Sequence, residues 1–183
     1  MKNKFFCLHA HFRGQAAADP RTGDWKTEPS ARPWRDADHR LAAEELLPLC
    51  AAERAPGGSP AGGPPDFRGL TSFDISPRLL DWLDAFFPEL PAALAEADRR
   101  AVRESGEGAA LAHPWPHAAL PLLSPRDRRA AVRWGLDYFE RRFKRRAAGM
   151  WLPENAADED TLAALAEAGV LFTVLAPSQA RAF

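Results

Sequence analysis

The sequence lacks the residues that would place it in several common classes. It has two cysteines, Cys7 and Cys50, which provide neither a disulfide framework nor the spacing of a metal site. Cys7 lies in a short apolar run, where we expect it to be buried as a small core residue. The formal net charge is −1, which argues against a protein that binds nucleic acid or a membrane surface by charge.

Long hydrophobic runs are also missing. The apolar run before His9 has four residues, whereas the hydrophobic region of a signal peptide needs ~7–15. No window approaches the ~18 apolar residues of a membrane span. We therefore expect a soluble, cytoplasmic protein with no membrane partner and no nucleic-acid partner.

What the sequence does contain is enough apolar material for one domain. It has 183 residues, of which 46% are hydrophobic. We expect a single domain over residues 1–183, with a flexible Gly/Pro-rich insertion at 55–69. A complete eight-fold β/α barrel usually needs ~250 residues, so the chain is too short for one.

Strands and helices are predicted to alternate along the chain. The predicted strands are at residues 5–8, 70–75, 109–112, 149–152 and 170–175. Helices are predicted in the stretches between them, including one from Asp36 to about Glu53 and one from Asp158 to Ala168 that Gly169 closes. Two helices have clear starts, at Ser76-Pro77 and Ser124-Pro125. This alternation predicts an α/β fold with about five parallel strands and outer helices, either an open doubly wound sheet or a partial barrel. No GxGxxG or GxxxxGK[ST] follows the first strand, so a nucleotide-binding loop is not expected.

The helix after Ser124 is predicted to be amphipathic. Val132, Leu136, Phe139 and Phe143 share its apolar face. The opposite face is basic, and we expect it to be solvated; it carries Arg128, Arg129, Arg141, Arg142, Arg145 and Arg146.

Titratable side chains follow four of the predicted strands. They are His9 and His11, Asp74, His117, and Glu154. In both β/α architectures sites form at the carboxyl ends of strands, so these groups are predicted to meet at one rim. An alternative for Glu154 is that it caps the next helix.

Two further histidine patterns affect this prediction. His9 and His11 alternate with Ala10, so they point to the same face of a strand, and the barrel lumen is favoured. His113 and His117 have the HxxxH spacing of a helical metal-ligand pair. Pro114 and Pro116 forbid a regular helix between them, which weakens that interpretation.

Four segments resemble the catalytic domain of glycoside hydrolase family 57, a family of retaining enzymes that act on α-glucans. They are residues 6–12, 72–80, 106–123 and 149–154, and Gly149-Met150-Trp151-Leu152-Pro153-Glu154 is the most specific. The sequence is most similar to the bacterial branch in which this domain precedes a large uncharacterised C-terminal region.

The resemblance implies a fold and a mechanism. The family's domain is a seven-stranded (β/α) barrel similar to that of polysaccharide deacetylases. Glu154 would be the nucleophile that forms a glycosyl-enzyme intermediate, and no metal or cofactor is implied. The substrate would be an oligo- or polysaccharide of the α-glucan type. The residues implied to bind it are His9, His11, Asp74, Trp115 and His117; Trp151 is expected to belong to the core.

The family's acid/base aspartate belongs to a fourth motif beyond the fifth strand, and this chain has no candidate after that point. The resemblance therefore implies the N-terminal part of such an enzyme, truncated and inactive alone. Association through exposed barrel edges is a further expectation.

Two alternatives remain open from the sequence. One is a metal-dependent deacetylase, in which His9, His11, His113 and His117 hold the ion with the help of Asp74. The other is a non-catalytic carbohydrate-binding protein that keeps the histidine cleft.

Overall fold

The computed structural model describes residues 7–12, 21–22, 47–51 and 71–179. The predicted insertion at 55–69 and the predicted helix before Leu47 lie outside these residues. Strands and helices alternate as follows: β1 (His9–Phe12), α1 (Leu47–Ala51), β2 (Ser72–Ile75), α2 (Pro77–Phe86), α3 (Glu89–Ser105), β3 (Ala110–Leu111), α4 (Pro125–Phe143) and α5 (Glu159–Glu167). Short 3₁₀ turns occur at Leu120–Leu122, Pro153–Asn155 and Pro177–Gln179. None of the helices in these ranges is long and apolar enough to cross a membrane.

The strands are parallel and pair in the order β1-β2-β3. The first strand begins later than predicted: Cys7 and Leu8 precede it and are exposed, and the histidines themselves form it. The prediction that Cys7 belongs to the core is therefore wrong.

The predicted fourth and fifth strands are each reduced to one parallel bridge. Met150 pairs with Ala112, and Gly149 pairs with Phe172. The regular strands are therefore fewer than the five expected, although the predicted chain order and direction are confirmed. Leu171 and Phe172 are 82% and 48% exposed at the last of these positions. Association through this apolar edge stays a prediction.

The chain forms two compact units, residues 1–73 with 78–110 and residues 74–77 with 111–183. In the first unit, α1 packs against α3. The buried Asp98 of α3 accepts a hydrogen bond from the backbone N–H of Ala110 at 2.8 Å, which fixes the start of β3. The single domain over residues 1–183 stays a prediction.

In the second unit, α4 packs against α5. Both helices begin where the sequence predicts. Ser124 accepts a hydrogen bond from the Asp127 N–H at 3.2 Å, and Asp158 accepts one from the Thr161 N–H at 2.7 Å. The apolar face predicted for α4 is confirmed at Val132, Phe139 and Phe143, which are buried, whereas Leu136 is half-buried.

Candidate functional site

Three segments of the second unit bring polar side chains together. Asp74 lies on β2, His113 and His117 lie in the loop after β3, and Glu154 lies in the loop after the Met150 bridge. Each side chain lies near the carboxyl end of a parallel strand or bridge, where β/α folds build their sites. The predicted meeting of Asp74, His117 and Glu154 at one edge agrees with the contacts described next.

Asp74 and His113 form the buried end of the group. Their side chains are 0% and 1% exposed, and Asp74 Oδ2 lies 4.0 Å from His113 Nε2. The other ring nitrogen, His113 Nδ1, lies 3.1 Å from the carbonyl oxygen of Pro114. Because burial of an isolated charge is costly, a fully buried carboxylate such as that of Asp74 needs polar groups such as the His113 ring near it.

His113 contacts His117 directly. His117 Nδ1 and His113 Nε2 are 3.2 Å apart, and the two ring centroids are 4.9 Å apart. The loop between them is not helical, as Pro114 and Pro116 predicted, and the Trp115–Pro116 peptide bond is cis. The irregular loop thus achieves the contact that a helix turn would otherwise provide.

Glu154 forms the exposed end. Its Oε1 lies 3.4 Å from His117 Nε2, and its side chain is 59% exposed. Asp158, rather than Glu154, caps α5, so the capping alternative for Glu154 is wrong. The four side chains therefore form a continuous path from a buried carboxylate, through two imidazoles, to an exposed carboxylate.

The backbone at Glu154 is strained. Glu154 and Asn155 have φ values of 58° and 53°, in the left-handed region that non-glycine residues rarely adopt. Each such residue costs on the order of 1–3 kcal/mol. The surrounding contacts hold the turn: Pro153 is buried, and Gln179 Nε2 donates to the Asn155 carbonyl at 2.6 Å. Strain of this kind often occurs where a side chain must be aimed at a ligand.

Arg128 is a correction to the predicted basic face. It is 6% exposed, and it donates to the carbonyls of Leu120 and Leu123 at 3.1 and 3.4 Å. Its guanidinium also lies 3.8 Å from Asp158 and 3.1 Å from Asp160. Arg128 therefore joins the start of α4 to the start of α5 instead of facing solvent.

The other predicted site residues are described within the unit to which each belongs. In the first unit, His9 Nδ1 lies 2.9 Å from Ser72 Oγ, and His11 is exposed. In the second unit, the ring of the half-buried Trp115 lies edge-on to Trp134, with centroids 6.2 Å apart. Their contacts with a substrate stay predictions. His113 was singled out only through the HxxxH spacing, and its burial beside Asp74 had no signal in the sequence.

The deacetylase alternative requires a group of metal ligands. Within the described ranges, no set of three or more His, Cys, Asp or Glu side chains is arranged to hold a metal ion. No observation therefore favours that alternative over the carbohydrate-active one.

The family model of glycosyl hydrolase family 57 matches residues 34–177. The chain belongs to this family. The match includes three of the five residues predicted at the strand ends, namely Asp74, His117 and Glu154, and it also includes His113. No curated protein matches the sequence significantly.

Solved structures show the same fold. The 4-alpha-glucanotransferase from Thermococcus litoralis has a TM-score of 0.56 at 17% identity, over 93% of this chain and 22% of that protein. An exo-type maltose-forming amylase from Pyrococcus sp. ST04 has a TM-score of 0.53 at 18% identity, over 75% and 20%. The alpha-amylase AmyC from Thermotoga maritima has a TM-score of 0.56 at 14% identity, over 92% and 39%.

These similarities establish the fold of the family 57 chain. It is the α/β fold of the family's (β/α) barrel, present in part, as the resemblance implied. The chain spans between 20% and 39% of the length of the three proteins.

Proposed function

We propose that this chain is part of a retaining glycoside hydrolase or transglycosylase that acts on α-glucans, with Glu154 as its nucleophile. The observation that carries the proposal is the approach of His117 Nε2 to Glu154 Oε1, at 3.4 Å. An imidazole N–H beside an exposed carboxylate orients that carboxylate for attack on a bound sugar. Catalytic hydrogen bonds are often long before substrate binds.

The proposed chemistry has two steps. The Glu154 carboxylate attacks the anomeric carbon, and the bond to the leaving oxygen breaks as a glycosyl-enzyme ester forms. Water or a sugar hydroxyl then attacks the same carbon and releases Glu154. A retaining enzyme needs a second carboxyl group about 5–5.5 Å from the nucleophile, first as an acid and then as a base.

Two aspartates that follow Glu154 closely in the chain have other contacts. Asp158 caps α5, and Asp160 pairs with Arg128 at 3.1 Å. We therefore assign neither of them as the second carboxyl group. Our proposal therefore includes that this chain alone does not turn over an unactivated α-glucan. Release of sugar from such a glucan, abolished by Glu154→Gln, would overturn this part.

The remaining predicted residues complete the proposal. His117 is only partly exposed beside Glu154, and we assign it a sugar hydroxyl as ligand. Trp115 lies two residues before His117, so its Cα is at most about 7 Å from that of His117. Within the second unit we assign to Trp115 stacking on a neighbouring sugar ring. For the first unit by itself, we assign sugar hydroxyls as ligands of His9 and His11.

An activated substrate tests the nucleophile directly. Fluoride leaves from α-maltosyl fluoride without a general acid, so Glu154 can be glycosylated even without the second carboxyl group. We expect intact-mass spectrometry to show one maltosyl adduct and peptide mapping to place it on Glu154. Azide, which needs no general base, should release the adduct as a glycosyl azide.

Two variants make this experiment specific. Glu154→Gln should form no adduct. Glu167→Gln is a matched control, because Glu167 is also exposed but pairs with Arg129 at 3.1 Å on α4. An adduct on another residue, or an equal yield in the Glu154→Gln variant, contradicts the proposed role.

A further inference from the structure

We propose that His113 and His117 together hold one proton more than two neutral imidazoles would, and that Asp74 keeps this proton in place. The pair then presents an N–H from His117 Nε2 to Glu154. Asp74 and His113 are positioning residues that act on Glu154 through His117. The resemblance implied that Asp74 binds the substrate, but its side chain is fully buried, so we assign it this positioning role instead. The consequence for catalysis rests on the function proposed above, whereas the proton count does not.

The first step follows from the carbonyl of Pro114. A carbonyl oxygen can only accept a hydrogen bond. His113 Nδ1 lies 3.1 Å from it, so this nitrogen carries a hydrogen. If His113 is neutral, its Nε2 has a lone pair and accepts; if it is charged, its Nε2 donates.

The second step concerns the contact between the rings. His113 Nε2 and His117 Nδ1 are 3.2 Å apart, and one hydrogen must lie between them, on either nitrogen. At the far side, His117 Nε2 faces Glu154 Oε1 at 3.4 Å. An ionised carboxylate only accepts, so His117 Nε2 carries a hydrogen as well.

The hydrogens can now be counted. The three contacts require three hydrogens on the two rings: one on His113 Nδ1, one between His113 Nε2 and His117 Nδ1, and one on His117 Nε2. Two neutral imidazoles carry only two such hydrogens. The alternative is that the additional proton lies on Glu154. An imidazole is a stronger base than a carboxylate, so a proton between the two kinds of group is held by the imidazole. The additional proton therefore belongs to the histidine pair.

Asp74 explains why the charge is tolerated in a buried place. Its side chain is fully buried, and its Oδ2 lies 4.0 Å from His113 Nε2. A buried charge requires an opposite charge nearby. The negative charge of Asp74 and the positive charge of the histidine pair compensate each other, and Glu154 faces the pair from the solvent side.

Nitrogen-15 NMR of histidine-labelled protein tests the proton count. Protonated and bare imidazole nitrogens have well-separated shifts, and single His113→Phe and His117→Phe variants assign the two rings. At pH 7 we expect three protonated nitrogens, counting a shared hydrogen once. Two protonated nitrogens in the wild-type pair would overturn the proposal without recourse to any variant.

Asp74→Asn tests the role of the carboxylate while keeping its shape. We expect this variant to lose the additional proton at pH 7 and to show two protonated nitrogens. Asp137→Asn is the matched control, since it removes one negative charge from an exposed position on α4. An unchanged count in a folded Asp74→Asn protein contradicts the role of Asp74.

The labelling rate with α-maltosyl fluoride tests the effect on Glu154. We expect it to fall at least tenfold in Asp74→Asn and in His113→Phe, with the labelled site unchanged. If wild-type protein shows three protonated nitrogens but no labelling, the proposed function fails and the proton count stands. If labelling is normal in Asp74→Asn, the positioning role is wrong and the function stands.

Discussion

Gly135→Ala should destabilise the protein, although alanine is the better helix former. Gly135 lies in the middle of α4, where an added Cβ would be 2.2 Å from the His113 carbonyl oxygen and 2.8 Å from Pro114 Cα. Both are backbone atoms, which cannot rotate away as the end of a long side chain can. The glycine therefore allows the histidine loop to lie directly against the helix.

Two opposing terms set the magnitude. Alanine is favoured over glycine in a helix interior by about 1 kcal/mol. Overpacking a tight interior costs about 1–3 kcal/mol and more where backbone must move. The Trp115 N–H of this loop donates a hydrogen bond to the Ala131 carbonyl of the same helix at 3.0 Å, so the loop cannot move away from an added Cβ without losing that bond. We expect a net loss of about 1–2 kcal/mol, and a Tm lower by roughly 2–8 °C for a chain of this size.

Urea denaturation of Gly135→Ala measures the net change. The difference in stability between Asp137→Ala and Asp137→Gly gives the helix propensity of alanine relative to glycine at an exposed position of the same helix. Subtracting this difference from the change in Gly135→Ala leaves the cost of the close contact. Because His113 must shift in Gly135→Ala, labelling of Glu154 by α-maltosyl fluoride should also slow. A variant as stable as wild type, or more stable, refutes the reasoning from the close contact.

Three further predictions concern other residues. Arg128→Met removes two hydrogen bonds of a buried guanidinium and should lower the free energy of unfolding by about 2–4 kcal/mol, measured by urea denaturation. Arg128→Lys should not restore this stability, because an ammonium cannot reproduce the planar donor geometry of a guanidinium. An Arg128→Lys protein as stable as wild type would contradict this prediction. Burial raises the pKa of the Cys50 thiol from 9.0 to about 11. At pH 8 we therefore expect peptide mass spectrometry to show that Cys50 is alkylated roughly 100-fold more slowly than a thiol with the ordinary pKa, and more slowly than the exposed Cys7. Hydrogen bonds from Thr161 lower the pKa of Asp158, so its stabilisation is present above the ordinary aspartate pKa and is lost as the pH falls through the lowered value. Asp158→Ala should therefore reduce Tm at pH 7 but not below that range, and a pH-independent difference contradicts the capping role.

Local chemistry was sufficient to predict the ends of helices. Ser124 with Asp127 and Asp158 before Thr161 are short-range hydrogen-bonding patterns, and both form in the structure. Gly169 has φ of 82°, as expected for a glycine that closes α5. These features depend on residues within one helical turn, so the sequence contains all the information they need.

Burial was less predictable where it depends on distant residues. Arg128 has the pattern of a solvated position, but the starts of α4 and α5 meet around it, and their carbonyls and carboxylates take up its donors. Cys7 has an apolar neighbourhood in the sequence, but it precedes β1 and is exposed. A pattern of neighbours along the chain does not determine which other segment covers them.

The sequence by itself determined the order of strands and helices, their parallel direction, and the strand ends at which Asp74, His117 and Glu154 lie. It did so because periodicity, capping and β/α connections are local or chiral rules. Only the tertiary structure decided that His113 lies between Asp74 and His117, and that Gly135 allows it to do so. The distances among these groups depend on how segments far apart in the chain pack against one another, and local sequence patterns do not determine that packing.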